Sequence, residues 1–234
     1  MKNSKLLPNA KDVFSRDIEK HAELLFPLLS IDLQELYPEL SGLVHFILPF
    51  EPFDHIGLET TKYHTYYSRV NWLAYKLENN KCSLEPDYRF FQKEYIQYHP
   101  EYKNEFSGVV DYLDQLPADL DRELLEFECN YIKIREKYFN DSNKLHEVLK
   151  RFKNSNEAFK YIDGRFPSMT EPTNNIDYPI TENGRKFRYI GKLDPTDLSY
   201  YDKNNKLISL KADFDIIMYY DPVDKIILNT FFYS

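Results

Sequence analysis

Apolar side chains recur every three or four residues along two stretches of the first 160 residues, which is the spacing of a helix with one buried face. The first stretch, between Lys11 and Leu29, predicts an N-terminal helix. The second predicts a longer helix with Asp119 as its N-cap and Asn140-Asp141 as its end. Its regularly spaced positions are Leu120, Leu124, Phe127, Tyr131, Ile134 and Tyr138. Two shorter helices are predicted to follow, one from Ser142 to Phe152 and one that starts at Ser155.

Strand-like patterns occur in two other parts of the chain. The apolar run from Leu43 to Leu48 predicts a buried strand, and the aromatic and β-branched residues between Tyr63 and Leu77 favour another strand before a turn at 78–81. After Gly164 helical spacing disappears and turn residues become frequent, so the last third should be mostly β. There the segment 187–193 alternates, and the apolar runs 216–220 and 226–233 flank a turn containing Pro222, which predicts a hairpin.

These elements together predict an α+β fold. Helical N-terminal and middle segments would pack on a mostly antiparallel sheet formed largely by the C-terminal third. A chain of 234 residues is within the size that one hydrophobic core can organise. We therefore expect a single globular domain over 1–234, built either as one unit or as two packed lobes, a mixed and helix-rich lobe at 1–160 and a β-rich lobe at 161–234.

Composition and charge limit the classes of partner. Hydrophobic residues make up 42% of the chain and aromatic residues 16%, which is typical of a folded globular protein. The net charge of −8 and the lack of a dense basic run oppose binding to nucleic acid. The chain begins without the apolar stretch of a signal peptide and contains no run of eighteen apolar residues. We therefore expect a cytoplasmic protein with no membrane partner.

The sequence contains few marks of catalysis. The six histidines and two cysteines are not spaced as metal ligands, the six glycines form no phosphate-binding loop, and no Gly-x-Ser-x-Gly elbow occurs. We therefore predict no cofactor, no metal and no enzymatic activity. The alternative is an enzyme of unknown reaction, whose site at 54–64 would use His55, His64 and Glu59, with Asp54 nearby. A chance grouping of polar loop residues explains the same four positions.

Three segments of the last third resemble the YwqG-like family of bacterial domains. That family has a Gly-Gly-x-Pro turn, a strand of the type Phe-Ile-x-Gln-Ile-Asp and a later aromatic strand that contains Asp. Here 161–167 is similar to the turn, 187–194 to the first strand and 215–221 to the second. The sequence departs from the pattern because Asp163 replaces the first Gly, one additional residue precedes Pro167, and Lys192 replaces the Gln. The resemblance implies a stand-alone protein without an agreed enzymatic activity, similar in some members to toxin-immunity proteins.

Negative charge is concentrated between residues 111 and 128. Seven acids and Arg122 give this segment −6 of the net −8. The acids are Asp111, Asp114, Asp119, Asp121, Glu123, Glu126 and Glu128. One interpretation is that acids at the start of a helix favour its positive end and keep the surface soluble. The other is an acidic face that meets a basic protein and speeds association with it.

The functional hypothesis is a non-enzymatic, protein-binding protein of the immunity type. It would bind a cognate protein toxin with a basic surface and occlude the toxin's active surface. Tyrosines in polar segments would supply contact area, because their rings are apolar and their hydroxyls polar. The predicted partner-binding residues are Asp111, Asp114, Asp119, Asp121, Glu123, Glu126, Tyr112, Tyr200 and Tyr201. A structural or regulatory subunit is a third hypothesis, which a large self-complementary apolar patch would favour.

Overall fold

Two antiparallel sheets and one long helix organise the chain. The structure is a computed structural model that describes residues 3–51, 55–94, 110–154, 170–173 and 176–233. Side chains at 59, 110–117, 151–154, 170–173 and 176–178 are not described. The helices are α1 (Ala10–Val13), α2 (Ile18–Leu24), α3 (Val110–Tyr138) and α4 (Ser142–Asn154). The predicted α+β class is confirmed.

The strands belong mainly to an N-terminal and a central sheet. β1 (Lys5–Leu6), β2 (Leu25–Asp32) and β3 (Leu43–Pro49) form the first, in the order β1-β2-β3. β4 (Trp72–Glu78), β5 (Lys81–Leu84), β8 (Arg188–Leu193), β11 (Phe214–Asp221) and β12 (Ile226–Tyr233) form the second, in the order β5-β4-β12-β11-β8. The described residues also form two short hairpins, β6 (Thr170–Thr173) with β7 (Ile176–Pro179) and β9 (Tyr200–Tyr201) with β10 (Leu207–Ile208).

The prediction of one helix between Lys11 and Leu29 is wrong. α1 ends at Val13, α2 begins at Ile18 and ends at Leu24, and β2 begins at the next residue. All but the last residue of β2 are buried, so its apolar run has no alternation that would distinguish a strand from a buried helix. Pro27 lies next to a bulge between Pro27 and Leu29 in the pairing with β3, where a residue without an N–H is tolerated.

The predicted strand between Tyr63 and Leu77 is also shorter than expected. β4 begins only at Trp72, and the preceding Asn71 has a left-handed φ of 61° that ends the loop. Within that loop the Glu85 carboxylate accepts hydrogen bonds from the hydroxyls of Thr65 and Ser68, at 2.6 and 3.0 Å. Side-chain hydrogen bonds thus replace strand pairing over 65–68. The turn predicted at 78–81 is present, with Asn79 and Asn80 at positive φ.

α3 is the predicted long helix, but it begins earlier than the sequence indicated. Asp119 was expected to cap it, whereas the helix starts at Val110 and runs through Pro117. Asp119 is therefore an interior residue, and its carboxylate pairs with Arg122 at 2.8 Å. The C-terminal end is confirmed, because Asn140 has a left-handed φ of 61° and the Asp141 carboxylate accepts from the backbone N–H groups of residues 143 and 144.

The buried face of α3 connects the two sheets. Ile134 and Leu120 are 0% and 3% exposed. The Tyr131 hydroxyl donates to the carbonyl of Pro27 in β2 at 2.8 Å, and the Asn130 amide donates to the carbonyl of Ser209 at 3.1 Å. The helix predicted from Ser155 lies outside the described residues, as does the boundary near residue 160. The central sheet takes strands from both sides of that boundary.

The closing hairpin is confirmed. β11 and β12 pair antiparallel from Phe214↔Tyr233 to Asp221↔Ile226. The Asp221 carboxylate accepts from the backbone N–H of Asp224 at 3.0 Å and from Arg185 at 2.9 Å, which holds the turn closed. Central-sheet residues are buried on both faces, with Met218 in the main core and Ile217 in a second cluster.

A buried amide on β12 leads to a stability prediction. Asn229 is fully buried between Leu73 and Met218, and neither atom of its side-chain amide has a hydrogen-bond partner within the described part of the chain. An unpartnered buried amide costs about 1–3 kcal/mol. We expect Asn229→Leu, which keeps the branching, to raise the free energy of unfolding by about 1–2 kcal/mol. Urea denaturation would measure the change, and exposed Asn143→Leu is the control. A loss of stability in Asn229→Leu would contradict the prediction.

Candidate functional site

The predicted acidic segment lies on α3, but its charge is partly neutralised. Asp121 pairs with Lys93 at 3.1 Å, and Glu126 pairs with Lys211 at 2.9 Å, in addition to the pair between Asp119 and Arg122. Glu123 has no partner among the described residues. Asp111, Tyr112 and Asp114 lie in the first turns of α3, where side chains are not described. The acids therefore form less of a continuous charged surface than the sequence suggested.

Of the predicted tyrosines, Tyr200 and Tyr201 lie at the other end of the helix from Tyr112. The Tyr200 ring packs edge-on against Tyr138, with centroids 6.0 Å apart, and Lys137 Nζ lies 4.4 Å from its centre. Tyr201 is 65% exposed. Glu126 and Lys137 are separated by roughly 17 Å along the helix axis, at 1.5 Å per residue. The acids and tyrosines thus mark two ends of one long surface and do not form one compact site.

A row of exposed apolar side chains runs along the outside of α3. Leu125, Ile132 and Phe139 are 60%, 53% and 43% exposed, and they follow each other at seven-residue intervals. That interval places all three on the same side of a helix. Cys129 is exposed and free, and it lies on the same side. We call Leu125, Cys129, Ile132 and Phe139 the outer stripe.

The border of the outer stripe carries charges of both signs. Helical spacing places Asp121, Glu128 and Glu136 beside it, together with the bases Arg122 and Lys133. Burial raises the pKa of Glu128 above its ordinary value, and Lys93 opposes that rise. Arg135 lies at the same border, but its guanidinium is already bonded to Asn9 and to the carbonyl of Leu7, and it stacks on the Phe139 ring at 4.7 Å. The apolar ridge is therefore bordered by acidic and basic side chains, of which Asp121 is already paired with Lys93.

An apolar groove lies beside the outer stripe. It has a volume of about 290 Å³ and separates α3 from α1, α2 and β2. Ile132 belongs to both the groove and the outer stripe. The other groove residues are Pro8, Asn9, Ala10, Ala22, Leu25, Phe26, Pro27, Glu128, Tyr131 and Arg135. We call it the side groove. Its size and lining suit an apolar side chain from a protein that packs along the outer stripe.

A second depression, with a different character, lies against α3 where Glu123 and Glu126 project. It has a volume of about 510 Å³ and is bounded by the end of β3, α3, the segment before β11, and Tyr233. Its charged residues are Glu51, Arg122, Glu123, Glu126, Lys211 and Asp213. We call it the charged cleft. Of the predicted partner-binding residues, Glu123 and Glu126 lie here.

The alternative site at 54–64 is only partly described, since Asp54 and the side chain of Glu59 are not. His64 Nε2 lies 2.8 Å from the carbonyl of Gly57, and burial lowers the His64 pKa. His55 Nδ1 lies 3.1 Å from the Asn71 amide, and its ring meets Tyr233 edge-on at 4.8 Å. Within the described ranges, no carboxylate hydrogen-bonds to either imidazole. The enzyme hypothesis therefore stays a prediction without a described acid–base pair.

The described residues contain neither a metal-binding cluster nor a helix that could span a membrane. No group of three or more His, Cys, Asp or Glu side chains there is arranged to hold a metal ion. No helix in the described ranges combines the length and apolar character needed to cross a bilayer. Cys82 is a buried thiol whose pKa is raised by burial, so Cys129 is the reactive cysteine of the two.

The sequence pattern of α3 contains two apolar series, and the predicted buried series is the first of them. Leu125, Ile132 and Phe139 form a second series one position out of phase with Leu124, Tyr131 and Tyr138. Two adjacent series widen the apolar arc of a helix, and only one of them can face the core if the helix packs on one side. The seven-residue interval was the available signal.

Comparison of the chain with models of protein families, with curated proteins and with solved structures gives no match. The resemblance to the YwqG-like family therefore stays a prediction. Two of its three segments are described, and they coincide with β8 and β11, which pair antiparallel. The turn at 161–167 lies outside the described residues.

Proposed function

We propose that this is a non-enzymatic protein that binds a cognate protein toxin in the cytoplasm and neutralises it by covering its active surface. The observation that carries the proposal is the outer stripe. Exposed large apolar residues are usually scattered, whereas here three share one side of one helix over two heptads. Such an arrangement is suited to packing against another helix.

The charges of the side chains beside the outer stripe favour one class of partner. Glu128 and Glu136 place negative charge beside the ridge, while Asp121 is already paired with Lys93, so a complementary partner presents an amphipathic helix with Lys or Arg opposite these two glutamates. A toxin that handles nucleic acid has a basic surface of this sign. Apolar anchors would enter the side groove and contribute most of the affinity, while the carboxylates would orient the encounter and increase its rate.

The proposal predicts which substitutions weaken the complex. Leu125→Glu and Ile132→Glu should each raise the dissociation constant at least about 30-fold, the effect of losing a hot spot of ~2 kcal/mol. Val223→Glu is the matched control, because Val223 is 65% exposed on the β11–β12 turn, outside the outer stripe. The partner would be copurified with the tagged protein, identified by mass spectrometry, and reconstituted for titration and for assay of its toxicity.

Cys129 provides a second measurement without any substitution. Alkylation of Cys129 should slow at least about tenfold in the reconstituted complex if the outer stripe is covered, a protection of ~1.4 kcal/mol. Cys82 is buried and serves as the unreactive internal reference. The proposal fails if Cys129 reacts equally fast in the complex, or if Val223→Glu weakens binding as much as Leu125→Glu does.

A further inference from the structure

The charged cleft has the size and floor of a small-molecule site. Its volume of about 510 Å³ falls within the range of roughly 300–1,000 Å³ that such sites occupy. Phe50, Phe127, Phe214 and Tyr233 contribute aromatic rings to its lining. The ring centroids of Phe50 and Phe127 are 5.6 Å apart, and those of Phe214 and Tyr233 are 5.1 Å apart. The rings therefore form two adjacent pairs that a flat or apolar ligand could contact.

Charge in the cleft is unbalanced. Both basic residues are already engaged, since Arg122 pairs with Asp119 at 2.8 Å and Lys211 pairs with Glu126 at 2.9 Å. Glu123 and Asp213 line the cleft without a cationic partner in the described part of the chain. A bound cation would compensate these carboxylates, whereas an anion would meet the same charge sign.

Glu51 adds an unpartnered carboxyl oxygen just behind the cleft wall. Its Oε2 atom accepts from the backbone N–H of Gln92, with N and O 3.4 Å apart, and the carboxylate also bonds to the backbone of Gly57. Glu51 is partly exposed as a residue, but its Oε1 atom is buried and has no partner among the described atoms. An isolated buried oxygen of this kind costs free energy until a donor reaches it.

We propose that the charged cleft binds a small organic cation, an amine or guanidine on an apolar or aromatic body. The Glu51 carboxyl turns toward the cleft so that Oε1 accepts from the N–H groups of the ligand, whose body lies on the aromatic floor. Glu123 and Asp213 compensate the ligand charge at the rim. Rings near a cation add a cation–π contribution. Neither the outer stripe nor the proposed toxin binding is needed for this site.

Binding of the cation changes the protonation of Glu51. Burial raises the pKa of Glu51 to about 8, so the free protein holds this carboxyl protonated at pH 7. An ammonium group that bonds to Glu51 favours the carboxylate, and the displaced proton goes to the solvent. Several charged or titratable groups line the same cleft. They are Arg122, Glu123 and Glu126 from α3, Lys211 and Asp213 from the segment before β11, and Tyr233 from β12.

The test uses phenethylamine and its neutral analogue 2-phenylethanol. Isothermal titration at pH 7 in two buffers of different ionisation enthalpy should give at least about tenfold tighter binding of the amine, with release of up to about one proton. Glu51→Gln should weaken amine binding at least about tenfold and abolish the proton release. Exposed Glu19→Gln is the matched control and should leave both unchanged.

Three results would overturn the proposal. They are equal binding of amine and alcohol, no amine binding at millimolar concentration, and unchanged amine binding in a Glu51→Gln variant with a native circular dichroism spectrum. If Glu51→Gln does not fold, Asp213→Asn is used in its place. We expect Asp213→Asn to weaken amine binding about threefold, and unchanged binding in this variant would contradict the proposal. Titration of phenethylamine into the complex with the bound partner distinguishes two sources of the cation. If a side chain of the partner occupies the cleft, the complex does not bind phenethylamine. If the natural ligand is a free small molecule, the complex still binds phenethylamine.

Discussion

Replacing Gly57 with alanine should lower the free energy of unfolding by about 2–4 kcal/mol, the sum of left-handed strain and overpacking. Gly57 has φ +72°, and a Cβ atom there would lie 2.5 Å from Cζ of Phe90. Phe90 cannot move away easily, since its ring is fully buried and its carbonyl accepts the Thr60 hydroxyl at 2.5 Å. The clash therefore falls on a fixed part of the core.

Gly184 provides the matched control for this experiment. It has nearly the same backbone conformation, φ +75°, but a Cβ atom there would meet nothing within 4 Å. Gly184→Ala should therefore cost only the strain, about 1 kcal/mol. Guanidinium denaturation of both variants at pH 7 separates the two contributions. Equal losses would mean that the Phe90 ring relaxes and that packing at this position is loose.

Acidification should remove about 3 kcal/mol of stability through His45 alone, since one pKa unit corresponds to about 1.4 kcal/mol. The ring is 1% exposed, with Nδ1 2.7 Å from the Ser30 hydroxyl and Nε2 2.8 Å from the carbonyl of Asn80. This network assigns the proton of the neutral ring to Nε2. Burial lowers the His45 pKa from 6.5 to about 4, although the bond to Asn80 opposes that change.

The sign of the effect follows from proton binding. Between pH 6.5 and 4 the unfolded chain binds a proton at residue 45 that the folded chain does not, so unfolding is favoured as the pH falls. The contribution is complete above pH 6.5 and is lost by pH 4. Glu51 acts in the opposite direction. Burial raises its pKa from 4.5 to about 8, so its contribution to the free energy of unfolding is lost as the pH rises through 8.

Comparison of variants isolates His45 from such opposing groups. Urea unfolding of the wild type and of His45→Gln between pH 4 and 8 should give a stability difference that shrinks by about 3 kcal/mol on acidification. His146→Gln, at an exposed position of α4, should track the wild type. A difference between wild type and His45→Gln that does not depend on pH would show that His45 takes up its proton without cost.

The elements predicted correctly from sequence are those in which local pattern and environment agree. The closing hairpin has two apolar runs, a proline-containing turn between them and an Asp whose side chain caps the turn, all within twenty residues. β2 had no such agreement. Its edges pair with β1 and β3, and its side chains are buried because α1, α2 and α3 pack against it; most of these partners are distant in the chain. The local spacing near Leu25 therefore could not decide between helix and strand.

The candidate site was predictable in part. Negative charge on α3 was evident, but its pairing with Lys93 and Lys211 depends on segments that fold against the helix from either side. The outer stripe could be read from spacing once the buried series of α3 was known. Glu51 had no sequence signal, because its behaviour comes from the burial of one oxygen beside the backbone of Gly57 and Gln92.

The pairing of β4 with β12 has a consequence for how the chain is made. Trp72 pairs with Thr230, so β4 lacks its neighbour on that side until roughly 150 further residues have been synthesised. At about 5–20 residues per second this interval is on the order of 10–30 s. During that time β4 has an unpaired edge on the ribosome-bound chain, and it carries Leu73 and Tyr75, which are buried in the folded protein. Nascent chains of this protein should therefore depend on chaperones more than its modest size suggests.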